Sequence, residues 1–302
     1  MEFNMFQPGG IIPAVVCPID DSGLIKEASF LNLIDYLLEN GVHGLFINGS
    51  QGEFYALNMQ EKQKILEIAV DHNQGRVPVY AGVGAVTTRE AVALAKASEK
   101  VGADALSAIT PYFIKPNENE LYNYYKAIAD AVALPVLLYG NPDRTNVILS
   151  TNLVSKLADI ENIVGIKDSS GDFTLTSEYI RLLSSKGFQV LAGRDTLILA
   201  TLVYGGAGAI AASANVIPKL VVEIYEAFRR GDLETALAAQ HKIAPLRMAF
   251  TLGSFPVVIK EALKMIGIDL GLTFHPIEGL EASRREELRK ILLELDLPVC
   301  ND

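Results

Sequence analysis

Residues 163–167 read Ile163-Val164-Gly165-Ile166-Lys167, an apolar run that ends at a single basic residue. An apolar run without polar alternation is typical of a strand that is covered on both faces, as in a parallel sheet. Seven more runs of this kind occur along the chain. In chain order, the eight runs are Ile11–Val16, Leu45–Ile47, Val79–Val83, Ala105–Ile109, Val136–Tyr139, Ile163–Ile166, Phe188–Ala192 and Ala209–Ala212. The pattern therefore predicts eight buried strands.

Amphipathic stretches separate these runs. Phe30, Leu33 and Leu37 recur at helical spacing, and Asn58 followed by Glu61 is a typical helix start, the capping box. Eight strand–helix pairs within about 220 residues predict a (β/α)8 barrel, the TIM barrel, whose usual size is about 250 residues. A doubly wound open sheet is the alternative. It normally carries a glycine-rich phosphate turn after its first strand, where this chain has Cys17-Pro18.

The strand pattern stops at Gly231, and helical patterns fill the rest of the chain. Ser283 and Glu286 have the spacing of a capping box and predict the start of the last helix. No linker rich in Pro, Gly or Ser separates the two parts. We therefore expect a barrel over residues 1–231 and a C-terminal helical extension over residues 232–302 that packs on the barrel.

Composition and charge narrow the class of protein. The 302 residues are 50% hydrophobic and 21% charged, which excludes a disordered chain. A net charge of −10 disfavours nucleic acid and anionic membrane surfaces as partners. Residues 1–10 lack the features of a secretory signal, and no apolar run approaches the ~20 residues of a membrane span. Cys17 and Cys300 form no disulfide or zinc-ligand pattern, which favours a cytoplasmic location.

The sequence offers little sign of a metal, a cofactor or a serine nucleophile. Gly82-Val83-Gly84 is too short for a nucleotide-binding fingerprint, so we expect no cofactor. The Ser50 turn resembles the serine-hydrolase elbow, but Asn48 replaces its first glycine and no histidine is well placed as its partner. The histidines are scattered without metal-ligand spacing, and we expect no metal site. They are His43, His72, His241 and His275.

Lys167 is the strongest candidate for a catalytic residue. Catalytic residues of such barrels lie at the C-terminal ends of the strands, and Lys167 directly follows an apolar run. Burial disfavours an ammonium, and a neutral amine attacks carbonyl carbon to form a Schiff base. Tyr139 ends the preceding strand and is placed to move protons. The alternatives are a lysine that extends to solvent and a tyrosine that covers the barrel rim.

Two further features suit small carboxylates. The turn Gly49-Ser50-Gln51-Gly52 offers backbone amides beside a hydroxyl, which can hold a carboxylate. Arg144, in the loop after the fifth strand, can bind a substrate carboxylate through two hydrogen bonds. For an isolated arginine, a surface salt bridge is the alternative.

Four motifs in order resemble those of the dihydrodipicolinate synthase and N-acetylneuraminate lyase family of class I aldolases. The turn Gly49–Glu53 is similar to the family's G-[ST]-x-G-E, and Gly165–Asp168 resembles its Schiff-base lysine motif. Thr110–Phe113 is similar to its T-P-Y-Y, and Tyr139–Thr145 to its tyrosine loop. The resemblance covers nearly the whole chain.

The resemblance implies how a substrate binds. Pyruvate is expected as an imine on Lys167, with its carboxylate on Ser50 and Gln51. Tyr139 is expected to handle protons, and Ser50 is expected to be catalytic as well, as its hydrogen-bonded partner in a two-group proton relay. Gly193 and Ile210 are expected to line the site. Arg144 stands where the synthases keep an arginine for the carboxylate of the aldehyde substrate, which implies a short acidic aldehyde.

The resemblance also implies a reaction, with alternatives. A dihydrodipicolinate synthase-type condensation comes first, and a catabolic aldolase for 4-hydroxy-2-oxoglutarate or 2-keto-3-deoxy sugar acids comes second. A non-catalytic keto-acid-binding barrel is the third hypothesis. Two residues depart from the synthase pattern. Gln51 replaces the second threonine of the synthase turn G-T-T-G-E, and Phe113 stands where a synthase lends a tyrosine across a dimer interface. The family relationship further implies a homo-oligomer, a dimer or tetramer.

Overall fold

The computed structural model describes residues 6–20 and 22–300 of the chain. Residues 1–5, 21 and 301–302 lie outside the described residues, and the outer bounds of the two expected parts, residues 1 and 302, fall among them. The described chain contains eight parallel strands in one sheet, ordered β1-β8-β7-β6-β5-β4-β3-β2. They are β1 (Gly10–Pro13), β2 (Leu45–Ile47), β3 (Val79–Gly82), β4 (Ala105–Ile109), β5 (Val136–Gly140), β6 (Ile163–Asp168), β7 (Gln189–Ala192) and β8 (Gly208–Ala211).

The sheet curls until its two edge strands meet. Ala14, directly after β1, forms a parallel bridge with Phe46 of β2. The backbone N–H of Val15 donates to the carbonyl of Phe46 at 2.9 Å, and that of His43 donates to Ile11 at 2.8 Å. The predicted (β/α)8 barrel is confirmed.

Helices alternate with the strands and cover the barrel. The helices of the barrel region are α1 (Glu27–Glu39), α2 (Met59–Asn73), α3 (Thr88–Val101), α4 (Glu118–Ala129), α5 (Pro142–Thr145), α6 (Thr151–Leu157), α7 (Phe173–Leu183), α8 (Ile198–Val203) and α9 (Pro218–Arg229). The predicted capping box of α2 is confirmed, because the Asn58 side chain accepts from Glu61 N–H and the Glu61 carboxylate accepts from Asn58 N–H.

Three helices form the C-terminal part: α10 (Leu233–Ala249), α11 (Val257–Met265) and α12 (Ala282–Glu294). The capping box predicted at Ser283 is wrong. The N-cap of α12 is Glu281, so Ser283 already lies in the first helical turn. The division of the chain at residue 231 stays a prediction.

The apolar runs of the sequence predicted which residues are buried better than they predicted where the strands end. The run Ile11–Val16 is buried throughout, yet β1 ends at Pro13. Residues 14–16 remain in the core, and their N–H groups donate to the carbonyls of Ala211 and Phe46 and to Asn215 Oδ1. Inside the barrel, a second cluster of buried side chains fills the space between the strands. It includes Ile12, Phe46, Tyr80, Leu137, Val164, Leu191 and Ile210.

Within the described ranges, no single helix is both long and apolar enough to cross a membrane. One pair, Leu233–Leu252 with Val257–Met265, meets that test by length and composition only when taken together, and it is bent by 120°.

Candidate active site

Lys167 lies inside the barrel, near the C-terminal end of β6. Its side chain is 4% exposed, and Nζ lies 4.2 Å from the centroid of the Tyr139 ring and 5.0 Å from that of Phe46. Tyr139 and Lys167 are direct neighbours in the β5–β6 register, as their positions at two successive strand ends predict. The amine is therefore held between two aromatic rings at the mouth of the barrel.

Asp168, the next residue, takes the opposite direction. Its carboxylate accepts hydrogen bonds from Thr176 Oγ1 and from the N–H of Ser170. Burial raises the pKa of Asp168, and these hydrogen bonds partly oppose the rise. Because successive side chains of a strand point to opposite faces, Lys167 faces the cavity while Asp168 fixes the loop outside it.

Tyr139 is 4% exposed, and its hydroxyl lies among hydrogen-bonding side chains. It lies 3.3 Å from Ser50 Oγ, and Asn141 Nδ2 donates to it at 3.0 Å. Burial opposes ionisation of the phenol, but the Lys167 ammonium and the hydrogen bonds outweigh burial and lower the pKa of Tyr139 below its ordinary value. The side chains that contribute hydrogen bonds are Ser50, Asn141 and Ser169. The hydroxyl is therefore prepared to release and recover a proton.

One cavity of about 250 Å³ brings the predicted residues together. All seven candidate side chains and glycines from the sequence lie on its wall: Ser50, Gln51, Tyr139, Arg144, Lys167, Gly193 and Ile210. Their proximity is a structural fact, whereas their chemical roles remain predictions.

The turn after β2 places Ser50 and Gln51 on the cavity wall. Asn48 and Glu53 on either side of it have left-handed backbone angles, with φ of 57° and 52°. The Glu53 carboxylate is fully buried, accepts from the N–H of Phe274 at 3.0 Å and pairs with Lys260 Nζ at 2.7 Å. The C-terminal helices thus hold one end of this turn.

Gly193 and Ile210 form part of the wall next to Lys167. The N–H of Gly193 donates to the carbonyl of Asp168 at 2.7 Å. A Cβ at residue 193 would lie 2.0 Å from Ser169 Oγ and 2.8 Å from the Asp168 carbonyl oxygen, so no side chain fits there. Ile210 of β8 is 1% exposed and closes the apolar floor.

Arg144 lies in α5, within the tyrosine loop. Its guanidinium carbon is 4.5 Å from the centroid of the Phe255 ring. Within residues 6–20 and 22–300, the guanidinium makes no ion pair. The surface salt bridge considered from sequence is therefore absent there, and the charge is directed to the cavity.

Sequence reasoning missed seven polar residues of this cavity: Asn141, Ser169, Arg194, Arg247, Asp143, Asp195 and Thr251. The first two lie two positions after Tyr139 and Lys167, so strand alternation could have identified them. Arg194 follows Gly193 directly, at the end of the seventh apolar run. Arg247 belongs to α10, where no strand-end pattern applies.

The cavity is more basic than the chain. Four cationic side chains and two carboxylates line it, whereas the whole chain carries a net charge of −10. Such a local excess of positive charge favours anionic ligands. Among the described residues, no group of three or more His, Cys, Asp or Glu side chains is arranged to hold a metal ion.

Comparisons with known proteins agree along nearly the full chain. A sequence model of the dihydrodipicolinate synthetase family matches residues 7–295. A 4-hydroxy-tetrahydrodipicolinate synthase from Methanoculleus marisnigri is 38% identical over 286 residues, covering 94% of this chain and 98% of the relative.

Solved structures of the same family are also similar to this chain over nearly its full length. A prophage protein of the dihydrodipicolinic acid synthase family from E. coli K12, in complex with pyruvate, has a TM-score of 0.93 and is 36% identical. A dihydrodipicolinate synthase from Acinetobacter baumannii, also complexed with pyruvate, has a TM-score of 0.93 and is 35% identical. Each comparison covers 96% of this chain and 99% of the other.

Proposed function

The chain belongs to the dihydrodipicolinate synthetase family, and from that premise we propose that it is a lyase that joins pyruvate to an aldehyde, or splits such a product, through an imine on Lys167. The observation that carries the proposal is the position of Lys167 Nζ, buried 4.2 Å from the centre of the Tyr139 ring in a basic cavity.

In the proposed reaction, the Lys167 amine attacks the C2 carbonyl of pyruvate. The carbinolamine loses water and leaves a protonated imine, which withdraws electrons from the pyruvate methyl carbon. That carbon then loses a proton, attacks the aldehyde carbon, and the resulting alkoxide takes up a proton. Finally, water cleaves the imine, or an amine of the product itself displaces the lysine, and the free Lys167 amine is restored. The reverse sequence splits the product.

Tyr139 is proposed to carry the protons of these steps. Its hydroxyl lies 3.3 Å from Ser50 Oγ, and its pKa is lowered mainly by the neighbouring Lys167 charge against the opposing effect of burial. A phenol with a lowered pKa donates and accepts a proton more readily near neutral pH. Ser50 and Gln51 are proposed to hold the pyruvate carboxylate, with Gly193 and Ile210 shaping its pocket.

The reaction proposed first is that of the 4-hydroxy-tetrahydrodipicolinate synthases, with a short acidic aldehyde as acceptor and Arg144 as the residue for its carboxylate. The second candidate is cleavage of 4-hydroxy-2-oxoglutarate or a 2-keto-3-deoxy sugar acid. Gln51 favours the second candidate because it departs from the synthase pattern, and its Oε1 is buried without a hydrogen-bond partner within the described residues.

The test is reduction with borohydride in the presence of pyruvate, followed by mass spectrometry of the protein. We expect a pyruvate-sized adduct on Lys167. The adduct should be lost in Lys167→Met and retained in the control Lys219→Met, whose side chain is exposed at the start of α9. Wild-type protein without an adduct would overturn the proposal and leave the keto-acid-binding barrel.

A panel of aldehydes then separates the two reactions. Turnover with aspartate semialdehyde and not with glyoxylate or glyceraldehyde supports the synthase reaction, and the reverse result supports the catabolic one. We also propose a cytoplasmic location, supported by Cys17 and Cys300, which form no disulfide.

A homo-oligomer is proposed as well. Phe113 is 97% exposed on the loop between β4 and α4, beside the cavity mouth. A large apolar side chain that lies fully in water is stabilised when another copy of the chain covers it.

A further inference from the structure

Arg247 is a cation of the cavity that no motif assigns. It lies in the last turn of α10, and its guanidinium carbon is 5.1 Å from the centroid of the Phe250 ring. Within the described part of the chain, no hydrogen bond or ion pair holds this guanidinium. A helix C-terminus favours a cation in its last turn, but this does not explain why the charge faces the cavity of Lys167.

The charged neighbours of Arg247 do not neutralise it. Asp195 is 1% exposed, and its carboxylate already accepts from the N–H groups of Ala212 and Ser213. Arg194 is engaged by Asp143 and adds a like charge. Burial, joined by repulsion from Arg194, lowers the pKa of Arg247, and attraction to Asp195 only partly offsets this. An anion in the cavity would relieve this unfavourable environment.

Arg144 presents the same arrangement in the same cavity, with Phe255 in place of Phe250. Stacking occupies a face of each guanidinium and leaves the N–H groups at its edge available. These N–H groups form the fork that binds a carboxylate through two hydrogen bonds. Two such guanidiniums remain after the pyruvate carboxylate has taken the Ser50 turn.

We propose that Arg247, together with Arg144, binds the carboxylate at the far end of the molecule that reacts with pyruvate. This inference rests on the proposed imine chemistry and on the short acidic aldehyde proposed above, and it adds Arg247 as a second residue for the carboxylate of that aldehyde. The products are then 2-oxo dicarboxylic acids. An uncharged acceptor such as glyceraldehyde would leave both guanidiniums without an anion when it occupies the cavity. The C-terminal extension thereby supplies a specificity residue to the barrel.

The test uses the imine itself as the readout and needs no knowledge of the natural aldehyde. A 2-oxo acid condenses with the Lys167 amine and releases water, and borohydride reduces the imine to a stable adduct. Half-saturating concentrations for trapping are measured with 2-oxoglutarate and 2-oxopimelate. Their partners are 2-oxopentanoate and 2-oxoheptanoate, which have the same chain lengths without the far carboxylate.

We expect the dicarboxylic acid to be trapped at a lower concentration than its monocarboxylic partner in at least one pair. Arg247→Gln should reduce the preference for the dicarboxylic acid about 10- to 100-fold, as expected for the loss of hydrogen bonds to a charged group. Arg247→Lys should retain part of it, because it keeps the charge without the fork. Arg229→Gln, which removes the same charge from the exposed surface of α9, should retain all of it.

Trapping of pyruvate separates a failure of the imine chemistry from a failure of the role of Arg247. A variant that traps pyruvate normally is also shown to be folded. Wild-type protein that traps no pyruvate overturns the imine chemistry itself. Wild-type protein that traps pyruvate but shows no preference for the dicarboxylic acids overturns the role of Arg247. That role is overturned equally if Arg247→Gln traps pyruvate normally and keeps the full preference, or if Arg229→Gln loses as much.

Discussion

The ion pair of Glu53 and Lys260 joins the Ser50 turn to helix α11, and Lys260→Met tests its importance. The two side chains are 0% and 3% exposed, and Nζ lies 2.7 Å from Oε2. Lys260 Nζ also donates to the carbonyl of Leu272 at 2.7 Å. Removing the lysine leaves the Glu53 carboxylate buried without its partner, which costs about 3–5 kcal/mol for a buried pair.

The pair as a whole contributes less than that figure suggests. Taking both charges out of water costs several kcal/mol per ion, so a neutral replacement of both partners is often tolerated. We therefore expect the double variant Glu53→Gln with Lys260→Met to be more stable than Lys260→Met alone. Glutamine at residue 53 still offers an oxygen to the N–H of Phe274.

The assay is equilibrium unfolding in urea, with the free energy of unfolding compared across the double-mutant cycle. Lys242→Met is the matched control, because Lys242 pairs with Asp296 at 2.9 Å on the surface, where the side chains are 47% and 82% exposed. An exposed pair contributes about 0–1 kcal/mol. If Lys260→Met destabilises the protein no more than Lys242→Met, the buried pair does not stabilise the Ser50 turn. That result would refute the reasoning.

Three further predictions concern the mouth of the barrel. Tyr139→Phe should lower kcat by about 10²–10⁴-fold, because the phenol hydroxyl transfers protons. Pyruvate should still be trapped, because the amine that forms the imine belongs to Lys167. An unchanged kcat would remove Tyr139 from the proton path. Burial opposes ionisation of Tyr139, and the Ser50 hydrogen bond is one of the contributions that lower its pKa, so Ser50→Ala should raise that pKa. The limb of the kcat/KM profile that reports ionisation of the phenol should then move to higher pH, and a limb that stays in place contradicts this assignment. Phe113→Ser should weaken self-association measured by light scattering during size-exclusion chromatography, and an unchanged molar mass across a dilution series would contradict a contact through Phe113.

Much of the site could be predicted because it lies on strands. Lys167 and Tyr139 follow apolar runs, and parallel strands of a barrel bring their C-terminal ends to the same rim. The register then pairs Tyr139 with Lys167 directly. The local pattern of β5 and β6 is therefore enough to place these two side chains together.

The features that the sequence did not reveal depend on packing between distant parts of the chain. Apolar residues 14–16 extend the first predicted strand because hydrophobicity reports burial and not the extent of the regular strand, which ends at Pro13. The predicted capping box at Ser283 failed because a residue pattern three positions apart does not fix where the helix begins; the chain enters α12 at Glu281 instead. Arg247 had no local signal, since only the docking of α10 against the barrel brings it to the cavity.

These packing contacts bear on whether residues 232–302 are an appendage or part of the site. Several residues of this segment reach the C-terminal end of the barrel: Arg247, Phe250, Thr251 and Phe255 line the cavity, and Lys260 pairs with Glu53 at the end of the Ser50 turn. Without the segment, Glu53 would lose its cation and the hydrogen bond from Phe274 together. A buried carboxylate without partners must gain a proton or move into water, and either change would disturb Ser50 and Gln51, which lie two or three residues earlier. We therefore propose that the barrel does not form a working site without its C-terminal helices, even though all eight strands precede them.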